Sequence, residues 1–152
     1  MNHNPFICSF SCTRETTYPA KYEGNLAKQG VSNTHDFFLN EKSIFEAYDK
    51  AIKTCESNGL SDDDILIFCH DDIEVWDDPK LFKQSLIETL NRKNTGFVGV
   101  AGTTLLPNDC VWWDMKRRQA GLHRGFVFQG ESRDNYYPNF FGPNGPVVAC
   151  GS

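Results

Sequence analysis

The feature that most constrains this chain is a run of five apolar residues, Ile65 to Cys69 (ILIFC). It is entered through the acidic turn Ser61-Asp62-Asp63-Asp64 and left through His70-Asp71-Asp72. A strand of near-continuous apolar residues has protein on both faces, which is the signature of a parallel sheet in an α/β domain. The flanking sequence repeats the theme. Pro5 to Cys12 (PFICSFSC) and His35 to Leu39 (HDFFL) read as two further strands, and Thr16 to Ala27 as a loop with a short helix. Asn40-Glu41-Lys42-Ser43 opens a helix with Ile44, Ala47, Tyr48, Ala51 and Ile52 on one face. A second helix spans Pro79 to Asn91, capped by Asp77 or Asp78 with proline in the first turn. Its expected buried stripe is Leu81, Phe82, Leu86, Ile87 and Leu90.

Gly96 to Ala101 (GFVGVA) is expected to be another strand, interrupted by glycine where something approaches the backbone. Its glycines do not match a GxGxxG phosphate loop, and no GK[ST] follows. Strands alternating with helices predict a single α/β domain with a mainly parallel sheet. From Leu105 onward the pattern weakens into short strands or loops rich in Trp, Gly, Pro and Asn. Gly125 to Gln129 and Pro146 to Cys150 have strand character, and Asn135 to Gly142 reads as an aromatic, turn-rich loop.

The chain has 152 residues and a net charge of −5, which argues against non-specific binding to nucleic acid or an anionic membrane surface. No stretch approaches the roughly 18 apolar residues of a membrane span, and Met1 to Pro5 lacks the basic start of a signal peptide. The six cysteines contain no CxxC pair and are scattered, several within apolar runs. They are read as reduced thiols of a cytoplasmic protein.

In open α/β sheets, ligands bind beyond the carboxyl ends of the strands. His70-Asp71-Asp72 is delivered there, where an imidazole and two carboxylates suit a hard divalent ion, Mn²⁺ or Mg²⁺, bridging to a diphosphate. Alternation along an extended segment makes His70 and Asp72 point together, so Asp72 is the preferred ligand and His70 its partner. The acidic pair equally suits a cap for the next turn.

ILIFCHDDIEV, followed by GFVGVAG at 96–102 and by Trp112-Trp113, resembles the family 2-type glycosyltransferases of the GT-A fold. The likeness is to the branch whose strand-end signature is F-x-H-x-D in place of D-x-D. It implies a Rossmann-like nucleotide-sugar-binding domain, cut short at its C-terminal end. Residues 1–104 would form the nucleotide-binding sheet and helices, and residues 105–152 an aromatic, loop-rich acceptor side. It also implies a nucleoside-diphosphate sugar donor, a divalent ion and an acceptor glycan or other hydroxyl compound. Thr13, Arg14, Glu15 and Asn40 would lie beside the base and ribose, Asp71 and Asp72 at the metal and diphosphate, and Gly102 and Trp113 at the donor sugar. Arg14 also suits a surface ion pair, Asn40 a helix cap, and the tryptophans packing under loops. His123 and Arg124 could meet a phosphate, and Lys116-Arg117-Arg118 an anionic acceptor. Asp114, Glu131 and Asp134 are the acidic residues beyond the sheet, and none matches the family's base motif. A non-catalytic nucleotide-sugar-binding module and a metal-dependent phosphoester hydrolase are the alternatives; the second needs further strand-end His or Asp ligands.

Overall fold

The computed structural model describes residues 4–18, 25–105, 108, 119–145 and the backbone of 149–151. The chain forms two compact units, Met1–Arg92 and Lys93–Ser152.

The first unit is the α/β part. Its strands are β1 (Ile7–Cys12), β2 (Thr34–Phe38) and β3 (Ile65–Cys69), and its helices are α1 (Ile44–Ser57) and α2 (Pro79–Leu90). The sheet is parallel with order β2-β1-β3, Cys8 facing Thr34 on one side and Leu66 on the other. Both faces of β3 are covered, as its unbroken apolar sequence requires. On one face Leu66 and Phe68 pack with Cys8, Phe10 and Phe38 against Ala51 and Cys55 of α1. On the other, Ile67 and Cys69 meet Leu26, Val31, Ile73, Val75 and Phe82 of α2. The aromatic rings form a row across the sheet. Phe10, 1% exposed, stacks 6.3 Å from Phe38 and 5.7 Å from Phe68, and Tyr48 of α1 closes the row 4.4 Å from Phe68.

The alternate positions of β1 are serines, buried yet satisfied. Ser9 Oγ lies 2.7 Å from Ser32 Oγ and from His35 Nδ1, and Ser11 Oγ lies 3.2 Å from Cys69 Sγ and from the His70 carbonyl oxygen.

The helices differ from expectation in which residues they bury. In α1 the buried line is Ala47, Ala51 and Cys55, while Ile44 and Ile52 lie at the exposed edge. Residues four apart stack one above another, and small side chains on that line let the helix approach the sheet. In α2 the side chain of Asp78 caps the helix, its Oδ1 accepting from the amides of Lys80 at 2.8 Å and Leu81 at 3.1 Å. Leu81 is 63% exposed, so the expected stripe narrows to Phe82 and half-buried neighbours. Within 16–27, residues 19–24 lie outside the description. Asn25 to Gly30 forms turns, closed by Asn25 Oδ1 accepting from the Lys28 amide and ended by Gly30 at φ 78°.

The second unit corrects the expectation of one mainly parallel sheet. Its four strands are antiparallel in the order β6-β5-β4-β7, formed by β4 (Ala101–Thr103), β5 (His123–Ser132), β6 (Asn135–Gly142) and β7 (Ala149–Gly151). Gly96 to Val100 is not a strand: regular pairing begins at Ala101, opposite Gly125. Gly125 has φ 109°, and a Cβ there would meet the Val100 carbonyl oxygen at 2.3 Å, so only glycine fits. Asn135 to Gly142 is a strand rather than a loop, because it pairs along its length with β5, Phe140 opposite Phe126. Pro138 is tolerated there because β6 is an edge strand.

Removing the central ring tests this packing. Phe10→Ala is expected to cost about 3–5 kcal/mol, the usual loss for a buried aromatic. Urea unfolding followed by tryptophan fluorescence and far-UV circular dichroism would measure it. A loss under about 1 kcal/mol would show that the row does not carry the first unit.

Candidate active site

The chain leaves β1, forms β2 on one side of it, and crosses by α1 to form β3 on the other. Such a reversal of strand order opens a crevice beyond the carboxyl ends of the two strands that flank it, here β1 and β3. The loops after β1 and β2 are laced together at this end. Thr13 N donates to Phe38 O at 3.0 Å, Glu41 N to Thr13 O at 2.9 Å and Asn40 N to Glu15 O at 2.8 Å. Asn40 stands at φ 55°, a left-handed conformation that asparagine tolerates, and it does not cap α1, where Ser43 takes that position. The backbone thus brings Thr13, Glu15, Asn40 and Glu41 into one cluster. Arg14 is exposed on the same loop.

At the end of β3, Ser11 ties the His70 carbonyl to β1. The chain turns at Asp71 and Asp72, so the period-two alternation that joined His70 to Asp72 ends with the strand at Cys69. His70 and Asp72 are exposed and Asp71 is half-buried. Asp71 is the member of the triplet whose charge reaches the strand ends, acting on both Cys12 and Cys69.

Two residues not singled out from the sequence complete this end of the sheet. Glu41, its side chain only 9% exposed, receives Lys50 Nζ of α1 at 2.7 and 2.9 Å, one contact to each carboxylate oxygen. Cys12 sits where the charges of Glu41 and Asp71 both reach it. Burial, then Glu41, then Asp71 push its thiol above the usual range. The available signal for Glu41 was positional: it follows β2 closely, as His70-Asp71-Asp72 follows β3. Burial, with smaller contributions from the Cys12 and Cys69 thiols, pushes the Tyr48 phenol up to about 12. Burial and the Asp71 charge push the Cys69 thiol up to about 11, against the opposing hydrogen bond from Ser11.

In the second unit Gly102 is buried in β4, opposite Arg124 of β5 and Cys150 of β7. Arg124 Nη1 donates to the carbonyls of Gly121 at 2.8 Å and His123 at 2.7 Å, and His123 is buried. Glu131 is exposed near the end of β5, where its carboxylate accepts from Asn135 at 3.3 Å, and Asp134 is exposed in the turn that follows. Trp112, Trp113, Asp114 and Lys116-Arg117-Arg118 lie outside the described residues.

A profile of the glycosyltransferase like family matches residues 27–143, most of the chain. The chain belongs to this family. The match agrees with the resemblance carried by ILIFCHDDIEV and supports a general glycosyltransferase role. Neither a curated protein nor a solved structure matches the chain. The matched range contains Asn40, Glu41 and His70-Asp71-Asp72, whereas Thr13, Arg14 and Glu15 precede it. Among the described residues of this family member, no helix is long and apolar enough to cross a membrane.

The buried thiol beneath the site gives a pH test. The folded chain holds the Cys69 proton more tightly than the unfolded chain, from an ordinary 9.0 up to about 11. That stability is therefore complete below about pH 9 and lost as pH rises through 11, roughly 2–3 kcal/mol in all. Thermal midpoints should fall across this window, and less steeply in Cys69→Ala. Equal slopes for the two proteins would contradict the assignment.

Proposed function

We propose that this glycosyltransferase binds a nucleoside-diphosphate sugar at the carboxyl ends of β1, β2 and β3, and transfers the sugar to a hydroxyl of an acceptor glycan or related compound. The observation that carries the reading is the reversal of strand order at β1/β3, with hydrogen-bonded loops and acidic side chains gathered at the carboxyl ends of the strands. Thr13, Arg14, Glu15 and Asn40 are assigned to the base and ribose, and Asp71, Asp72 and His70 to the diphosphate and its ion.

Mn²⁺ or Mg²⁺ suits this donor set. No group of three His, Cys, Asp or Glu side chains able to hold a metal occurs among the described residues. An ion held by Asp71, Asp72 or His70 would need further ligands from outside the chain, as is common for Mg²⁺ at phosphate sites. When bound, the ion neutralises charge on the departing diphosphate. The chain's own contribution is to orient the donor between the two laced loops and the turn at Asp71. The free thiols Cys8, Cys12, Cys55 and Cys69 fit the reducing conditions of a cytoplasmic setting.

Calorimetry of UDP and GDP with and without Mn²⁺ tests this directly. One of them should bind in a Mn²⁺-dependent way, and Asp71→Asn and Asp72→Asn should each weaken it by about tenfold or more, at least 1.4 kcal/mol. Absence of binding by either nucleotide, or wild-type affinity in both variants, would sink the assignment. A donor-turnover assay then separates an enzyme from a non-catalytic binder of the same fold.

A further inference from the structure

We infer that Lys50 and Glu41 form a positioning pair that holds the nucleoside side of the donor site in its binding geometry. This rests on the donor-site reading above. Three main-chain hydrogen bonds join the loops after β1 and β2, and two of them involve Glu41 or the residue before it. Those bonds fix where Thr13, Glu15 and Asn40 stand. Asn40 itself stands at φ 55°, a left-handed conformation open to asparagine.

The next residue, Glu41, is tied down by its side chain as well. The Glu41 carboxylate is almost buried, a costly place for a charge unless a partner is provided. Lys50 provides it from the second turn of α1, with Nζ close to both oxygens. α1 itself is anchored to β1 through Ala51 and Cys55, which pack against Cys8 and Phe10. The pair therefore links a rigid element to the loops that border the site. Lys50 is more than half exposed, so it adds little to global stability and its role is local. The Glu41 amide donates to Thr13 O at 2.9 Å, which places the pair at the carboxyl end of β1 and not on a remote surface.

Two probes separate this from a purely structural role. Calorimetry with Mn²⁺ would compare a nucleoside diphosphate, UDP or GDP, with inorganic pyrophosphate, which lacks the nucleoside and engages only the ion site. Lys50→Met and Glu41→Gln should raise the Kd of the nucleoside diphosphate about tenfold or more and leave that of pyrophosphate within about twofold; Glu41→Gln, which strands no buried charge, should keep the thermal midpoint near wild type, whereas Lys50→Met should lower it. Lys50→Arg should restore most of the affinity, since it keeps the charge and can still reach the carboxylate. In the ligand-free protein, amide exchange at Asn40 and Glu41 should accelerate about tenfold in Lys50→Met, with β1 amides unchanged. Unchanged nucleotide affinity together with unchanged exchange would overturn the inference, as would equal loss of both probes. If the wild-type chain binds no nucleotide at all, the donor reading fails. The exchange measurement then still decides whether the pair holds the loops.

Discussion

The row of rings from Phe38 through Phe10 to Phe68 is the interaction on which the first unit depends. Phe10 lies on the middle strand, and its contacts reach both neighbours and, through Phe68, Tyr48 of α1. The row spans all three strands on the face that α1 covers. The alternate positions of β1, on its other face, are serines, whose hydroxyls need partners once buried. They find them at the adjoining loop and strand ends: Ser9 at Ser32, Thr34 and His35, and Ser11 at Cys69 and His70. The apolar face of β1 thus sets the sheet, and its polar face fixes the segments that leave it.

From that division follows the position of the site. A central strand with its successors on opposite sides leaves a crevice at its carboxyl end. This chain lines that crevice with carboxylates: Glu41, neutralised by Lys50, and Asp71, half-buried beside Cys12. A region of acidic side chains in a chain of net charge −5 is unfavourable for an anionic diphosphate on its own. A divalent cation reverses the local sign, which makes the acidic turn a reason for a metal-assisted donor and not an objection to it.

Much of the first unit was legible because each element carried its own period. ILIFC could be nothing but a doubly covered strand, and Asp78-Pro79 marks the start of α2 by a cap and a fixed φ. What was hidden depended on partners distant in sequence. Ile44 and Ile52 share helical spacing with Ala51, but it is small residues that face the sheet, since close approach selects them. The strand expected at Gly96 to Val100 fails because an apolar run becomes a strand only where a ladder partner is in register, and that begins at Ala101. The aromatic segment Asn135 to Gly142 looked like a loop until β5 supplied its pairing partner. In the site, the HDD triplet was visible as a strand end. The Glu41–Lys50 pair was not, because eight intervening residues conceal a contact made across a loop and a helix turn.

The central claim is that the nucleotide sits at the carboxyl ends of β1 and β3 with a divalent ion at the turn beyond β3. Paramagnetic broadening of backbone amides by Mn²⁺, titrated in the presence of a bound nucleoside diphosphate, tests it most directly. Broadening should be strongest at His70, Asp71 and Asp72, extend to Cys12, Thr13 and Glu41, and spare residues at the opposite end of the sheet such as Asn33 and Asp64. Broadening centred at that opposite end, or spread evenly over the first unit, would contradict the account.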